Sequence, residues 1–358
     1  MQFPNHGANP GHLTKVLKLQ LQEEAIDFSV NTTPFPLQKN IEANWRDYLE
    51  TITKYPDPTS EQLKILIAKK EGLTANELLV GNGAAQLIFL IAMYFQGKEV
   101  AIVEPTFSEY RDACKAFNCE VEGLVINKPW RLDVEDIYHR CKSKQLLFIC
   151  NPNNPTGIAY SLEKLQNLIE RLALLGVTVV IDEAFFDFQE EGNTLINLVQ
   201  KHSNLIVLRS LTKMYGIAGL RLGFMAANPT LVRKISRLQN PWSVNGLAQQ
   251  IGYECLKDSC YVREVQEFMK SERGRVFPQL RQLGYEISNS KVNFYLLKER
   301  DKNEDCLPLI KFLIESGIIP RHTYNFSSLD GRYIRLAIKS VGENNRLLNA
   351  LKRWKERC

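Results

Sequence analysis

Short, nearly unbroken apolar runs recur through the first two thirds of the chain: Glu99–Val103 (EVAIV), Gln145–Cys150 (QLLFIC), Val177–Ile181 (VTVVI) and Leu205–Leu208 (LIVL). Each is too short for a core helix, is partly β-branched and lacks polar alternation, which predicts strands buried on both faces. Between the second and third, Leu162, Leu165, Leu168, Ile169 and Leu172 recur at helical spacing. Ser161 predicts the N-cap of that helix and Gly176 its stop. A second apolar helix is predicted over Gln86–Phe95. Strands alternating with helices in this way predict an α/β fold with a mostly parallel sheet.

After Asn240 the pattern changes. One long helical stretch, about Ser243 to Leu283, leads into strand-like Lys291–Leu297, helical Leu307–Ser316, strand-like Tyr333–Ile338 and a closing helix. The expected organisation is a segment 1–34 that crosses over to pack on a small domain, a large domain 35–242, and a small α+β domain 243–358.

Charge and cysteine content narrow the function. Forty-five basic against forty acidic residues give a net charge of +5, too small and too dispersed for a nucleic-acid partner. The basic run at Lys352–Arg357 reads as a solvated helix end. The eight cysteines form no C-x-x-C pair, so reduced thiols in a cytoplasmic enzyme are expected, with no metal. No leader pattern opens the sequence and no apolar run approaches membrane-spanning length, so no membrane partner is expected.

Candidate chemistry follows from what each strand delivers at its C-terminal end, where ligands bind in open α/β sheets. Gln145–Cys150 runs into Asn151-Pro-Asn-Asn-Pro-Thr-Gly157, Val177–Ile181 into Asp182-Glu-Ala-Phe185, and Leu205–Leu208 into Arg209-Ser-Leu-Thr-Lys213 and, further on, Gly219-Leu-Arg-Leu-Gly223. Taken singly, an Asn-Pro turn or an Asp after a strand is ordinary. Together they supply one sheet edge with an amide, a carboxylate and a lysine. A lysine amine forms a Schiff base with an aldehyde cofactor, and a carboxylate can hold a protonated pyridine nitrogen. Ser210, Thr212 and Arg221 suit a phosphate handle, as do the amides of Gly83, Ala84 and Ala85 at the start of an apolar helix.

This set of residues and spacings resembles the fold-type-I pyridoxal-phosphate enzymes, in the branch that contains histidinol-phosphate aminotransferase. The resemblance covers nearly the whole chain. It implies a large domain with a seven-stranded, mostly parallel sheet, a smaller C-terminal domain, and pyridoxal 5'-phosphate as cofactor. It also implies roles: Lys213 as the Schiff-base lysine, Asp182 on the pyridine nitrogen, Asn154 on the ring hydroxyl and Phe107 stacked on the ring. Ser210, Thr212, Arg221 and the Gly83–Ala85 amides would bind the cofactor phosphate. Tyr55 would reach the neighbouring subunit's site, which implies a homodimer. Arg335 matches the arginine that takes the substrate's carboxylate.

Fold and cofactor leave the reaction open, because the bond that breaks is the one held perpendicular to the cofactor ring. Leu208–Gly223, Pro241-Trp-Ser-Val-Asn245, His6-Gly-Ala-Asn9 and Asp27-Phe-Ser-Val-Asn31 are similar to the threonine-phosphate decarboxylase family, which usually has glycine where Ala8 stands. Phe185 fits that family too, since the aminotransferases place a tyrosine three residues after the aspartate. The resemblance implies decarboxylation of O-phospho-L-threonine to 1-amino-2-propanol O-2-phosphate for cobalamin synthesis. Arg321, His6 and Asn31 would grip the phosphate of this small phosphorylated amino acid while Arg335 steers its carboxylate. Trp242 reads as a packing residue between domains, and His322 has no assigned role. Amino transfer from histidinol phosphate, decarboxylation of O-phospho-L-serine to ethanolamine phosphate, and a cofactor-binding regulatory module stay open as alternatives.

Overall fold

The strands predicted from apolar runs form four adjacent members of one seven-stranded sheet in the computed structural model, which describes residues 3–4, 6–300 and 304–357. Across the sheet the order is Leu78–Asn82, Leu222–Ala227, Leu205–Ser210, Thr178–Asp182, Leu146–Cys150, Glu99–Glu104 and Glu120–Val125. All pairings are parallel except the two made by Leu222–Ala227. The register aligns Cys150 with Asp182 and Asp182 with Leu208, so the segments that follow these strands emerge on one edge.

Three strands of this sheet were not foreseen, and each lacks the signal that marks a central one. Glu120–Val125 is an edge strand whose residues are largely half-exposed. Leu78–Asn82 and Leu222–Ala227 carry glycines, which weaken strand propensity. One of them, Gly223, sits where a Cβ would stand 2.7 Å from the Ala84 amide nitrogen. Only a glycine lets this strand pass so close to the following helix, Gly83–Tyr94.

The predicted helix from Ser161 runs over Leu162–Ala173, with Ser161 capping the Lys164 amide. Its four buried residues, Leu165, Leu168, Ile169 and Leu172, face the sheet core. The long stretch after Ser243 is two helices, Gly246–Lys257 and Ser259–Gln282. They break at Asp258, whose side chain accepts from the amides of Cys260 and Tyr261. An N-cap of that kind starts a new helix, and apolar periodicity alone does not register it.

The C-terminal region carries a four-stranded antiparallel sheet in the order Arg321–His322, Ile334–Ala337, Phe294–Glu299, Tyr285–Ile287. Segments near the N-terminus attach to it. Ile26–Asp27 pairs in parallel with Ile318–Ile319, and the Phe28 carbonyl accepts from the Ala337 amide. The chain then returns to the large sheet, where the Thr33 amide donates to the Lys213 carbonyl. Residues 26–33 thereby stitch the two sheets together beside the strand ends. Among the described residues no helix is long and apolar enough to cross a membrane.

Candidate active site

The strand ends open into a cavity of about 290 Å³, bounded on one side by the large sheet and on the other by residues 6–8 and 29–31, Arg321 and Arg335. It is a small cleft by the standard of ligand sites. Lys213, Asp182, Asn154, Ser210, Thr212, Arg221, Ala84, Ala85, Phe107, His6, Asn31, Arg321 and Arg335 all line it. Of the residues assigned a site role from the sequence, Tyr55 alone lies well away. It is 85% exposed and rests against the half-exposed Trp242, with ring centroids 5.2 Å apart. Trp242 therefore shares an open surface with Tyr55 and does not pack between domains.

Asp182 ends its strand with its carboxylate fully enclosed. The Tyr110 hydroxyl donates to it at 2.6 Å and the Ala184 amide at 2.9 Å. Tyr110 is itself buried and stacked on Phe148 at 5.0 Å. Burial pushes the Asp182 carboxyl up, and these two donors and the Lys213 charge oppose the shift. The phenol of Tyr110 is pushed up as well, first by burial and then by the aspartate, so it stays protonated and serves as a fixed donor. Asp182 is thus a desolvated acceptor that gains most from a cationic partner.

Lys213 follows the next strand, on the short helix Leu211–Met214. Burial, and then the charges of Arg221 and Arg335, push its amine down to about 8, with Glu109 and Asp182 opposing. A lysine shifted this way holds a far larger fraction of neutral, nucleophilic amine near physiological pH than an ordinary lysine does.

At the other flank, Ser210 and Thr212 share a hydrogen bond of 2.8 Å. Arg221 has left-handed backbone (φ 58°), costly for a residue with a Cβ. Its guanidinium lies over Gly83, where a Cβ would stand 2.8 Å from Nη2. No carboxylate among the described residues pairs with Arg221. Two hydroxyls, an arginine and the first amides of a twelve-residue helix form a cradle suited to a phosphate.

Across the cavity, Arg335 is buried; it donates to Asn154 Oδ1 at 2.5 Å and to the Ser29 carbonyl at 2.7 Å, and its Nε has no partner. Burial, and then the charge of Arg321, push its guanidinium down. Arg321 donates to Asn325 Oδ1 at 2.7 Å and to the His322 carbonyl at 2.9 Å. The Asn31 amide nitrogen is buried without a partner. Enclosed cations and an open donor facing one cavity describe a site made for anions.

The chemistry of the donors therefore fits an aldehyde cofactor with a basic ring nitrogen and a phosphate, and comparison with known proteins agrees. Residues 23–353 match the aminotransferase class I and II family. The chain belongs to that family. As a member of the aminotransferase class I and II family it is a pyridoxal-phosphate-dependent enzyme, a decarboxylase or an aminotransferase. It is similar to the threonine-phosphate decarboxylase of Salmonella typhimurium, at 32% identity over 97% of this chain and 95% of that one. It is equally similar to the histidinol-phosphate aminotransferase of Caldanaerobacter subterraneus, at 34% identity over 90% of this chain and 91% of the other. Among solved structures, the histidinol-phosphate aminotransferase of Clostridium acetobutylicum superposes with a TM-score of 0.87 at 28% identity, covering 92% of this chain and 99% of that one.

The cavity also holds residues that the sequence reading passed over. Tyr110 and Glu109 follow the predicted Phe107, and the spacing from Phe107 to Tyr110, one helical turn, was the signal available for Tyr110. Glu109 Oε1 stands 3.3 Å from His6 Nδ1. His322, unassigned in the sequence, has its Nε2 2.8 Å from Arg321 Nη1 and 2.9 Å from the Pro4 carbonyl. Burial and the Arg321 charge push His322 down to about 3, so its ring is neutral.

Proposed function

We propose that this enzyme decarboxylates O-phospho-L-threonine to 1-amino-2-propanol O-2-phosphate, a step of cobalamin synthesis. The observation that carries the reading is the enclosed Arg335 and Arg321, together with the unpartnered Nε of Arg335 and the unpartnered amide nitrogen of Asn31, in the same cavity as the Arg221 cradle. The cavity thus has cations for two anions beyond a cofactor phosphate, as a phosphorylated amino acid requires. Phe185 supports the choice of reaction. It is buried edge-on against Phe294 at 4.8 Å and brings no hydroxyl to the cavity it lines.

Bound in this site, pyridoxal phosphate supplies an electron sink conjugated to the substrate's amino nitrogen. Asp182 holds the ring nitrogen cationic, and Tyr110 and the Ala184 amide keep its carboxylate aimed. Ser210, Thr212, Arg221 and the Gly83–Ala85 amides bind the cofactor phosphate, Phe107 covers the ring, and Asn154 bonds its hydroxyl. Arg335 grips the substrate carboxylate and so fixes which bond to Cα is weakened, a positioning effect. Arg321, His6 and Asn31 take the substrate phosphate. Lys213 Nζ, with its lowered affinity for protons, carries a proton back to Cα. The exposure of Tyr55 leaves it available to reach a second copy's site in a homodimer. Unpaired cysteines throughout the described residues suit a cytoplasmic enzyme.

The test is a substrate comparison. O-phospho-L-threonine should release carbon dioxide without consuming 2-oxoglutarate. The second reading, histidinol-phosphate aminotransferase, is favoured by the equally similar Caldanaerobacter relative, and it prevails should amino transfer from histidinol phosphate dominate. O-phospho-L-serine lacks one methyl, which a pocket discriminates by only about 1–3 kcal/mol, so both phosphoamino acids belong in the comparison.

A further inference from the structure

Glu109 is an anomaly in a cavity built for anions. It lines the same wall as Phe107, with 17% of its side chain exposed. Its carboxylate meets His6 Nδ1 at 3.3 Å, from the N-terminal segment that covers the cavity. Its charge is felt by Arg321, on the edge strand of the C-terminal sheet, and it feels the charge of Lys213. Asp112, one turn along its own helix, and Ser108, at 3.5 Å, complete its surroundings. A phosphate gripped by His6 and Arg321 must therefore approach an acid, and two ionised anions at one desolvated place repel strongly.

We propose that Glu109 is a member of the substrate-phosphate subsite, and that a phosphate monoester binds there together with one proton shared with the Glu109 carboxyl. The inference rests on the reading of His6 and Arg321 as phosphate ligands. Burial, followed by the Asp112 charge, already pushes Glu109 up to about 7, opposed chiefly by its own backbone amide, by Ser108 and by Lys213. A dianionic ligand raises it further, so the carboxyl takes a proton from the buffer and donates a hydrogen bond to a phosphate oxygen. Glu109 then acts as a selector. It prefers a phosphate monoester, whose basic oxygens hold the shared proton strongly, over a sulfate ester, whose weakly basic oxygens do not.

Isothermal titration of the cofactor-loaded enzyme with isopropyl phosphate, in buffers of different ionisation enthalpy, counts the protons taken up. This ligand has neither amine nor carboxylate, so it undergoes no turnover. Wild-type enzyme should take up close to one proton at pH 8, and the uptake should vanish or turn into a net release at pH 6, where Glu109 and part of the ligand are already protonated. Glu109→Gln should bind with almost no uptake at either pH and should lose the preference over isopropyl sulfate. His6→Asn should retain the uptake. Binding without uptake by the wild type would overturn the proposal and leave the phosphate subsite standing, as would undiminished uptake by Glu109→Gln or uptake lost only in His6→Asn. Failure of isopropyl phosphate to bind the wild type at millimolar concentration would overturn the subsite and the proposal together.

Discussion

Arg209 and Arg335 are each 5% exposed, and each stands on a strand that borders the functional cleft or its floor. Around Arg209 the chain gathers three carboxylates: Glu183 at 3.0 Å, Asp187 at 2.7 Å and Glu71 at 3.7 Å. They raise its proton affinity above that of an ordinary arginine despite burial. Around Arg335 there is no carboxylate within 4 Å among the described residues, only an amide oxygen, a backbone carbonyl and an unpartnered Nε. Both cations carry the desolvation cost of burial. In one the chain offsets that cost itself; in the other the offset is left to a ligand. The difference separates a charge that holds the fold from one that serves chemistry.

Breaking the cleft at its nucleophile should have the largest effect. Lys213→Ala should lower turnover by about four orders of magnitude or more, and mass spectrometry should find no borohydride-reducible cofactor adduct. Next comes the structural arginine. Arg209→Met leaves Glu183, Asp187 and Glu71 without their cation, and denaturant unfolding should show about 3–5 kcal/mol of lost stability, with KM for substrate little changed in the folded fraction.

The same change at Arg335 should behave in the opposite way. Arg335→Met removes a buried charge that no carboxylate balances, so the cofactor-free protein should be as stable as wild type or more so. Its kcat/KM should fall about 100-fold, equivalent to about 3 kcal/mol from lost charged hydrogen bonds to substrate. Equal destabilisation by the two methionine variants would erase the distinction between these arginines.

Proton affinity offers a sharper comparison with an ordinary lysine. The neutral amine is the nucleophile, so capture of cofactor by the cofactor-free protein should speed up about tenfold per pH unit below the Lys213 transition and level off above pH of about 8. A stopped-flow series that kept rising to beyond pH 10 would place Lys213 among unperturbed lysines. The smallest effect is expected at Ala8, whose φ of 60° is left-handed. Ala8→Gly should stabilise the segment over the cavity by about 1 kcal/mol, read as a small rise in Tm.

The two regions were unequally legible in the sequence. Asp182, Ser210 and Lys213 follow apolar runs directly, and a parallel sheet brings successive strand ends to one edge, so their convergence could be argued from spacing. The four buried strands were readable for the same reason. The opposite wall joins residues 6–8 and 29–31, Arg321 and Arg335, segments far apart in the chain. Local pattern carries no information about that meeting, and the resemblance alone nominated His6, Asn31, Arg321 and Arg335. Glu109 and Tyr110 were missed because both read as ordinary first-turn residues of the helix Glu109–Ala116. The break at Asp258 was missed because apolar residues continue on both sides of it.

Arg335 and Phe185 both bear on which bond to Cα breaks, and one measurement addresses that directly. Enzyme and O-phospho-L-threonine are incubated in deuterium oxide without any oxo acid, and the product is followed by NMR. The expected product is 1-amino-2-propanol O-2-phosphate carrying a single deuterium on the carbon that bore the carboxylate, with its amino group retained and one equivalent of carbon dioxide released. A product that keeps its carboxylate and loses its amino group, formed only when 2-oxoglutarate is supplied, would contradict the assignment.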